Sequence, residues 1–537
     1  MYKIGNIYFI AAIAVIGGGL FGFDISSMSA IISTQPYLCY FNQLGHDEKG
    51  LCRGPRSAVQ GGITAAMPGG SWLGALISGP LTDYFGRRTA IQIGSVIWII
   101  GSIIVCASQN IPMLAVGRII NGFSVGICSA QVPVYISELS PPSKRGRVVG
   151  LQQWAITWGI LIMFFICYGS SYLNGKAAFR LPWGLQMIPA GLLYFGLMLL
   201  PESPRWLAKK DRWEDAHAVL TLVHGKGDPN SAFVARELAE IREAVEFERR
   251  NSDVTYIELF RPKMLNRTMI GLFTQIWSQL TGMNVMMYYI TYVFTMAGLG
   301  NDVLLPSSIQ FIINVVMTIP ALLWQDRWGR RPTLLVGAFF MCLWLCINAG
   351  LFAVYSHKPD PPFPSPSESM QISGAPAKAI IASTYLFVAS FAPTWGPVSW
   401  TYPPELYPLR LRGKAVALST SGNWAFNFAL AYFVPPAFEN ITWRTYVLFA
   451  VFCAAMFIHV YFMFPETANK PLEEVEEIFD DTKPGSIRYI GTPAWRTSNS
   501  HRKHVVAQER NEIGSDEKLG VEHDDHKEAT QVSGSAV

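Results

Sequence analysis

A short polar stretch inside a long apolar segment carries the residue types best suited to binding chemistry. Between Ser278 and Tyr289 the chain holds two amides, Gln279 and Asn284, together with hydroxyl side chains, a glycine and a pair of tyrosines. We expect these two amides, five residues apart, to lie close to each other. Amides are costly in hydrocarbon unless they meet protein partners or line a watery cavity. The stretch therefore predicts either polar contacts between helices or one wall of a site for a neutral, polyhydroxylated ligand.

The composition around this stretch indicates an all-α polytopic membrane protein. The chain has 537 residues, of which 50% are hydrophobic and 15% charged, whereas soluble domains have about 25% charged residues. Apolar blocks repeatedly reach the roughly 20 residues that cross a bilayer, and such continuous runs do not fit the alternating strands of outer-membrane barrels. We expect the first block to be retained as a helix and not cleaved as a signal. The twelve predicted transmembrane helices lie near residues 6–32, 57–81, 90–108, 112–136, 147–172, 181–200, 266–297, 304–325, 332–355, 378–402, 412–438 and 442–464.

The loops between these helices alternate in charge. Lys and Arg are concentrated in the loops around Arg88, Arg145 and Arg412 and in the 201–265 connection, and the intervening loops have few of them. The positive-inside rule then places both termini in the cytoplasm. Asn440, in the sequence Asn-Ile-Thr, falls outside, where it is a candidate glycan acceptor.

Two of the eight cysteines lie outside the apolar segments. Cys39 and Cys52 share the first outer loop, where an oxidising environment is compatible with a disulfide. The sequence leaves open whether they pair or remain free thiols. The other six fit small packing residues within helices.

Three motifs occur twice and in the same order, after equivalent helices. Asp-x-x-Gly-Arg-Arg ends at Arg88 and again at Arg331, Glu-Leu followed by Arg-Gly begins at Glu138 and at Glu405, and Pro-Glu-Ser/Thr begins at Pro201 and at Pro465. This repeat predicts two pseudo-symmetric six-helix halves with a ligand site between them near the midplane. The predicted parts are an N-terminal half at 1–204, a cytoplasmic linker with short helices at 205–262, a C-terminal half at 263–466 and a largely disordered cytoplasmic tail at 467–537.

Together these motifs resemble those of the sugar porters of the major facilitator superfamily, over residues 5–475. The Asp-x-x-Gly-Arg-Arg repeats indicate only the superfamily. Pro-Glu-Ser-Pro-Arg-Trp-Leu from Pro201 and Gln-Leu-Thr-Gly-x-Asn from Gln279 indicate the sugar branch, and Phe-Gly-Phe-Asp ending at Asp24 is similar to fungal high-affinity hexose transporters. The resemblance implies the major facilitator fold and a plasma-membrane importer of glucose or another hexose that works by alternating access.

The resemblance also bears on partners and on rival functions. It implies a sugar and protons as partners beside the lipid bilayer, with no cofactor, no enzymatic activity and no nucleic acid, and it leaves the tail open to regulatory proteins. The sequence has no metal cluster, nucleophile constellation or phosphate-binding loop that would favour an enzyme. A facilitative uniporter, a carrier of pentoses, polyols or disaccharides, and a transporter-like glucose sensor remain alternatives.

The resemblance further implies a substrate site made of amides and indoles. An amide has both donors and acceptors, as a sugar hydroxyl does, and an indole face covers the apolar side of a pyranose ring. The family usually has two consecutive Gln residues in the seventh helix, whereas here the first is Ser278, and a second Gln found in the fifth helix of some members is Ile160. These differences leave the sugar preference open. The implied substrate residues are Gln153, Gln279, Asn284, Asn314, Trp395, Trp400, Asn423 and Asn427.

Charged residues in and beside the apolar segments imply coupling and gating. Asp24 and Arg118 match the residues that bind and tune the coupling proton in proton-coupled members, and the alternative is a static ion pair in a uniporter. The charged clusters in the basic loops are implied to close one state and to break when the halves rock. They would act as a latch, because an exposed ion pair contributes only about 0–1 kcal/mol. The implied gate residues are Arg88, Glu138, Arg145, Arg331, Glu405 and Arg412.

Overall fold

Twelve long helical segments dominate the structure, a computed structural model that describes residues 4–46, 50–141, 145–225, 227–229, 231–250, 256–299, 303–357 and 370–468, with 475 and 479. We number these segments in chain order. The first six are α1 (Ile7–Ile31), α2 (Ser57–Phe85), α3 (Arg87–Cys106), α4 (Ile111–Leu139), α5 (Arg145–Ser170) and α6 (Ala177–Met198). The second six are α7 (Pro262–Leu280, continued by Met283–Tyr288 and Ile290–Phe294), α8 (Leu304–Trp328), α9 (Arg330–Tyr355), α10 (Ala375–Leu406), α11 (Leu409–Asn440) and α12 (Arg444–Met463).

Within the described residues, nine of these segments are long and apolar enough to cross a membrane. The other three are α2, α7 and α11. α2 is rich in Gly and Ser, α11 carries Asn423 and Asn427 in its middle, and α7 is divided into short pieces. All three contact the opposite half, where side chains face other helices and need not be apolar.

The two halves meet through several pairs of helices, among them α5 of the first half with α10 of the second. α2 packs against α11, α5 against α8, and the Met283–Tyr288 piece of α7 against α1. The α2–α11 contact is close enough that a Cβ at Gly61 would lie 2.7 Å from the carbonyl oxygen of Tyr432. The absence of a side chain at Gly61 therefore allows the two backbones to approach each other.

Apolar side chains cover the outside of the molecule, and many polar ones lie inside. Phe195 of α6 and Phe339 of α9 are more than half exposed, whereas Arg118 and Asn423 are buried. This distribution is expected for a protein whose outer surface contacts hydrocarbon.

Gly282 breaks α7 inside the polar stretch. Its φ of 82° and ψ of 6° are left-handed, a conformation that a residue without Cβ adopts at little cost. One helix ends at Leu280 and the next begins at Met283. Gln279 and Asn284 therefore lie on either side of the break, and Asn284 Nδ2 donates to Gln279 Oε1 over 2.6 Å. The break brings the two predicted amides into direct contact.

The two ends of the helix bundle carry different connecting segments. After α1 comes a short helix, Gln35–Tyr40, and Cys39 forms a disulfide with Cys52, so the pairing that the sequence left open is present. We call this end the disulfide side. The opposite end, the linker side, holds the helices that connect the two halves, Pro204–Lys209, Trp213–Val223 and Ala232–Arg250. Apart from 467, 468, 475 and 479, the predicted tail lies outside the described residues.

Candidate functional site

Four amide side chains form a continuous hydrogen-bonded chain in the second half, which we call the amide chain. Asn284 donates to Gln279, Gln279 Nε2 donates to Asn423 Oδ1 over 2.9 Å, and Asn423 Nδ2 donates to Gln275 Oε1. Gln275 Nε2 then donates to the backbone carbonyl of Ser399 over 2.7 Å. The amide chain thereby joins α7, α10 and α11.

The spacing of the amides explains why they meet. Gln275 and Gln279 are four residues apart in α7, so they lie on one face of the helix, and Asn423 of α11 bonds to both. Buried amides require such partners, because an unpaired polar group is costly away from water. Each amide has two donor hydrogens and two acceptor lone pairs. The amide chain therefore retains hydrogen-bonding capacity that a hydroxyl-rich ligand can use.

Gln153 of the first half approaches α10 close to Ser399, on which the amide chain ends. Gly396 of α10 lies three residues before Ser399, and a Cβ at Gly396 would lie 3.5 Å from Gln153 Nε2. The preceding residue, Gln152, is buried and donates to the carbonyl of Ser129 over 3.4 Å, whereas Gln153 is partly exposed. The consecutive glutamines thus have separate roles: Gln152 packs within the first half, and Gln153 faces the second.

The two tryptophans of α10 have different surroundings, which favour Trp400 over Trp395 as a sugar contact. Trp395 is fully buried, and its Nε1 donates to the backbone carbonyl of Leu334 in α9 over 2.9 Å. A buried indole N–H needs such an acceptor, so Trp395 belongs to the packing between α9 and α10. Trp400 is partly exposed and keeps ring surface that a ligand can contact.

Two further predicted amides lie one helical turn from residues that contact α7. Asn427 follows Asn423 by four residues in α11, is 1% exposed, and its Nδ2 has no hydrogen-bond partner among the described residues. Asn314 is buried in α8, four residues after Gln310, whose Nε2 donates to the carbonyl of Met286 over 3.4 Å. The buried, unpartnered donor of Asn427 is a candidate ligand group.

The sequence-based prediction omits Gln275 and Ser399. The four-residue spacing between Gln275 and Gln279 was the available signal, since it places both on one helix face. Ser399 takes part through its backbone carbonyl, which no residue type indicates. Ser278, where the family usually has Gln, donates its Oγ to the carbonyl of Gln275 over 2.8 Å. Its hydroxyl therefore bonds within α7.

Asp24 of α1 and Arg118 of α4 form a bidentate ion pair inside the first half. Nη1 of Arg118 lies 3.2 Å from one carboxylate oxygen of Asp24, and Nη2 lies 2.9 Å from the other. The side chain of Arg118 is 1% exposed and that of Asp24 is 2% exposed. Arg118 Nε also donates to the carbonyl of Ile63 in α2 over 2.8 Å. A buried guanidinium and a buried carboxylate each need several hydrogen-bond partners, because both have lost their hydration. The geometry is compatible with a proton site and with a static pair.

Tyr288 lies near this ion pair, on the piece of α7 that packs against α1. Its hydroxyl is buried, has no hydrogen-bond partner among the described residues, and interacts electrostatically with Asp24 and Arg118. Asn284 lies four residues earlier in the same short helix, Met283–Tyr288. One helix therefore carries both an end of the amide chain and a side chain next to the ion pair.

On the linker side, each half holds a glutamate–arginine pair at equivalent positions. Arg87 Nε lies 3.2 Å from a carboxylate oxygen of Glu138, and Arg330 Nη2 lies 2.8 Å from one of Glu405. A hydroxyl completes each cluster, Ser203 on Glu138 and Thr467 on Glu405. The clusters repeat between the halves, as the repeated motifs predict.

The predicted gate named the second arginine of each motif, and the structure places the first arginine against the glutamate. Consecutive residues of a helix point about 100° apart, so one of the two faces the glutamate. The other residues of the predicted gate have different surroundings. Arg88 donates to the carbonyl of Leu200, Arg331 to that of Tyr461 and Arg412 to that of Tyr407, and the side chain of Arg145 lies outside the described residues.

A second glutamate in each half accepts hydrogen bonds from the start of a helix. Glu202 Oε1 accepts the first two backbone N–H groups of α3 over 2.9 and 3.0 Å, and Glu466 accepts those of α9 over 2.8 and 3.0 Å. These N–H groups have no partner within the helix, and a negative charge there is favourable. Burial nevertheless raises the pKa of Glu202, while the backbone donors act in the opposite direction.

Hydrogen bonds between the halves lie at the disulfide side and in the middle of the bundle. In the middle, Trp72 Nε1 of α2 donates to Ser421 Oγ of α11 over 2.8 Å, and Trp424 Nε1 of α11 donates to Ser129 Oγ of α4 over 3.3 Å. Ser57 at the start of α2 donates to Glu439 near the end of α11, and Thr291 Oγ1 donates to the carbonyl of Ser29 in α1 over 3.2 Å. Among the described residues, the linker-side clusters pair residues of the same half. Ser57 and Thr291 therefore join the halves at the disulfide side, and Trp72 and Trp424 join them deeper in the bundle.

Comparisons with known proteins bear on this arrangement. The family described as "Sugar (and other) transporter" matches residues 10–479. The chain is 47% identical over 548 residues to the "MFS glucose transporter mfs1" of Aspergillus flavus, covering 100% of this chain and 99% of that protein. It is also 47% identical over 500 residues to the "High-affinity glucose transporter" of Kluyveromyces lactis, covering 92% and 87%.

Among solved structures, the chain is similar to the proton:xylose symporter XylE of the major facilitator superfamily bound to 6-bromo-6-deoxy-D-glucose. The TM-score is 0.72 at 25% identity, over 88% of this chain and 99% of that one. A likeness over 88% of the chain extends over both halves. The chain belongs to the sugar transporter family, has the twelve-helix fold of the major facilitator superfamily, and is a membrane transporter, not an enzyme.

Proposed function

We propose that this protein imports glucose or a related hexose across the plasma membrane by alternating access, and that protons drive the import. The observation that carries the proposal is the buried amide chain with Gln153 facing it from the other half. A site shared by two halves can be exposed to either side of the membrane when the halves rock. The names of the two fungal relatives support glucose as the substrate.

The chemistry of the site suits a neutral sugar. Amide donors and acceptors match hydroxyl groups, which both donate and accept, and the partly exposed ring of Trp400 suits the apolar side of a pyranose. The described amide chain is neutral, so it offers no counter-ion for a charged substrate. The proposed sugar contacts are Gln153, Gln279, Asn284, Asn314, Trp400, Asn423 and Asn427.

Asp24 is the proposed proton acceptor. Protonation removes its negative charge, and Arg118 then loses its ionic partner and must change its contacts. Tyr288, which interacts with both residues, lies on the same short helix as Asn284, and this helix is the proposed route from proton to sugar. A potential of 100 mV supplies about 2.3 kcal/mol per charge, which corresponds to roughly fifty-fold accumulation of a neutral sugar per proton.

The two glutamate–arginine clusters are the proposed linker-side latch. Each holds helix ends of one half in a fixed arrangement, Arg87 with Glu138 and Arg330 with Glu405. We expect the clusters to approach each other and close this side when the disulfide side opens. These side chains are only 6–28% exposed, so each pair contributes more than the ~0–1 kcal/mol of a fully exposed ion pair.

The proposed orientation has the disulfide side outside the cell and both termini in the cytoplasm. Asn440 supports this orientation, since it is exposed at the disulfide-side end of α11 within Asn-Ile-Thr. A glycosidase-sensitive mobility shift that disappears in Asn440→Gln would support it. Protease cleavage of the C-terminal tail in intact cells would contradict it.

The central test is uptake of labelled glucose in cells that lack their own hexose transporters, with proton uptake recorded at the same time. We expect saturable uptake, accompanying alkalinisation of the medium, and competition by other hexoses. Uptake without proton movement would indicate a uniporter. Stronger competition by a pentose, polyol or disaccharide would change the substrate class, and glucose-dependent signalling without uptake would indicate a sensor.

A further inference from the structure

The amide chain has a defined direction, because it ends on a group that can only accept. The backbone carbonyl of Ser399 has no hydrogen to donate, so Gln275 must present Nε2 to it. Gln275 Oε1 is then the atom that accepts from Asn423 Nδ2. Asn423 Oδ1 in turn accepts from Gln279, and Gln279 Oε1 accepts from Asn284. All four hydrogen bonds run the same way, toward Ser399.

We propose that Gln275 is the positioning residue that sets this direction and thereby contributes to the choice of sugar. The inference rests on the proposed function, because it assigns the amide chain to the sugar site. Gln275 is 2% exposed and lies at the end of the amide chain that is anchored to α10. It acts through Asn423 and Gln279, the amides proposed to touch the sugar.

The direction matters because an amide has nearly the same shape when its oxygen and nitrogen exchange places. A flipped amide would present a donor where the site needs an acceptor, and hydrogen-bond partners are what distinguish the two orientations. Hexose epimers differ only in the position of one hydroxyl. A site whose donors and acceptors are fixed in place can therefore distinguish epimers better than one whose amides flip.

The arrangement of neighbouring groups supports a role beyond helix packing. Ser399 lies three residues after Gly396, where Gln153 of the first half approaches α10. The anchor of the amide chain is therefore next to the proposed contribution of the other half. Hydrogen bonds in a chain also polarise one another, so removal of the anchoring residue should affect the whole chain.

A merely structural role and a positioning role predict different results for Gln275→Met, which keeps the approximate size and removes both hydrogen bonds. A structural role lowers the amount of transporter or kcat for all sugars equally. A positioning role raises KM for glucose by about two- to tenfold, the range expected for a lost hydrogen bond. It also lowers epimer discrimination by a similar factor. We define this epimer ratio as the KM for mannose (the C2 epimer) or galactose (the C4 epimer) divided by the KM for glucose.

The experiment measures uptake and epimer competition by the full-length protein in transporter-deficient cells, normalised to surface expression. Gln186→Met is the matched control, since Gln186 is a buried amide of α6 at 1% exposure. We expect the epimer ratio to change in Gln275→Met and not in Gln186→Met. An unchanged ratio in Gln275→Met, or an equal change in both variants, would overturn the inference.

A second variant keeps the inference testable if Gln275→Met does not reach the membrane. In Gln275→Glu the protonated carboxyl group can donate to Ser399 and accept from Asn423, whereas the ionised form can only accept. Epimer discrimination in this variant should be retained at acidic pH and decrease at alkaline pH relative to the wild type, and a pH-independent ratio would contradict the inference. Failure of the wild type itself to bind or transport any sugar would overturn the proposed function, and the inference with it.

Discussion

Trp395 and Trp400 lie five residues apart in α10 and face different surroundings. Trp395 is fully buried and bonded to the carbonyl of Leu334, and Trp400 is partly exposed. The indole rings are chemically identical, so the difference comes from the direction in which each points. This residue-scale difference leads to opposite expectations for the two positions.

We predict that Trp400→Ala raises KM for glucose at least several-fold with little change in melting temperature. Trp395→Phe should instead lower stability by about 1–3 kcal/mol, because it removes a buried hydrogen bond and part of a fully buried ring, and KM should stay near that of the wild type. Uptake kinetics and thermal melting of the purified proteins check both. A raised KM with normal stability in Trp395→Phe would return Trp395 to the site.

Asp24→Asn should abolish proton-driven accumulation and leave exchange of sugar across the membrane. Asparagine keeps the size and an acceptor for Arg118 but cannot take up a proton at physiological pH. Accumulation ratio, counterflow of labelled glucose and proton uptake measure the separate steps. Unchanged accumulation in this variant would exclude Asp24 as the proton site.

The same substitution has a stability effect that must be measured beside transport. Removing one partner of a buried ion pair typically costs about 3–5 kcal/mol, since the other charge is left without its partner. Surface expression of Asp24→Asn therefore serves as the control for lost accumulation. Asp24→Glu, which keeps the charge, should accumulate sugar better than Asp24→Asn.

At the scale of elements, the break in α7 is the feature that assembles the site. An unbroken helix would place Gln279 and Asn284 one and a half turns apart, whereas the left-handed Gly282 lets their side chains bond to each other. A Cβ at Gly282 would also approach the ring of Phe449 to 3.0 Å. Backbone conformation and packing therefore both favour glycine there.

We predict that Gly282→Ala destabilises the protein by about 1–2 kcal/mol, the cost of a left-handed conformation for an L-residue, and raises KM because the two amides separate. Gly350→Ala is the control, since a Cβ at Gly350 in α9 meets open space. Melting temperature and uptake kinetics of both variants test this expectation. Equal melting temperatures and equal KM values in the two variants would show that the break in α7 tolerates a side chain.

The helix start of α3 offers a pH-dependent test at the element scale. Burial raises the pKa of Glu202, so the folded state favours its protonated form relative to the unfolded chain. The stability that depends on this group is therefore fully present below the ordinary carboxyl pKa and decreases as pH rises through the raised value. All three backbone donors reach the same oxygen, Oε1, which a glutamine can reproduce.

Glu202→Gln should remove this pH dependence. We expect the melting temperature of the variant, relative to the wild type, to be higher at neutral pH than at acidic pH. Glu240→Gln, at an exposed position of the linker, should follow the wild type at all pH values. A larger relative loss of stability in Glu202→Gln at neutral pH would contradict the raised pKa.

At the scale of the whole molecule, hydrogen bonds join the halves at the disulfide side and in the middle of the bundle. Ser57 with Glu439, and Thr291 with the carbonyl of Ser29, join the halves on the disulfide side. The linker-side clusters each lie within one half. In alternating access, contacts made only in one state set the equilibrium between states.

We predict that Thr291→Val, which keeps the shape and removes the hydrogen bond to α1, favours opening of the disulfide side. A lost hydrogen bond of about 0.5–1.5 kcal/mol increases the population of the open state, and the apparent KM for sugar outside the cell should fall about two- to tenfold. Thr295→Val is the control, since Thr295 Oγ1 bonds within its own helix. The kinetics of sugar influx and efflux in both variants test this expectation. An equal change in the KM values for influx and for efflux in Thr291→Val would contradict it.

Much of the architecture follows from the sequence alone. The length of the apolar blocks, the alternating basic loops and three repeated motifs predict twelve helices in two halves, and these signals are local or repeat along the chain. Gln279 and Asn284 can be recognised by residue type as polar groups in an apolar segment, but their contact with each other depends on the break at Gly282. Local periodicity is set by backbone geometry, so it can be read without knowledge of the partners.

The pairing of side chains across helices depends on the tertiary structure. Which arginine of each motif meets its glutamate, and whether Trp395 faces a ligand or α9, depend on the rotation of one helix against another. The anchoring of the amide chain on the carbonyl of Ser399 depends on the packing of α7 against α10. Composition and spacing determined that polar groups lie in the membrane, and helix packing decided which of them meet, because contacts between distant residues have no signature along the chain.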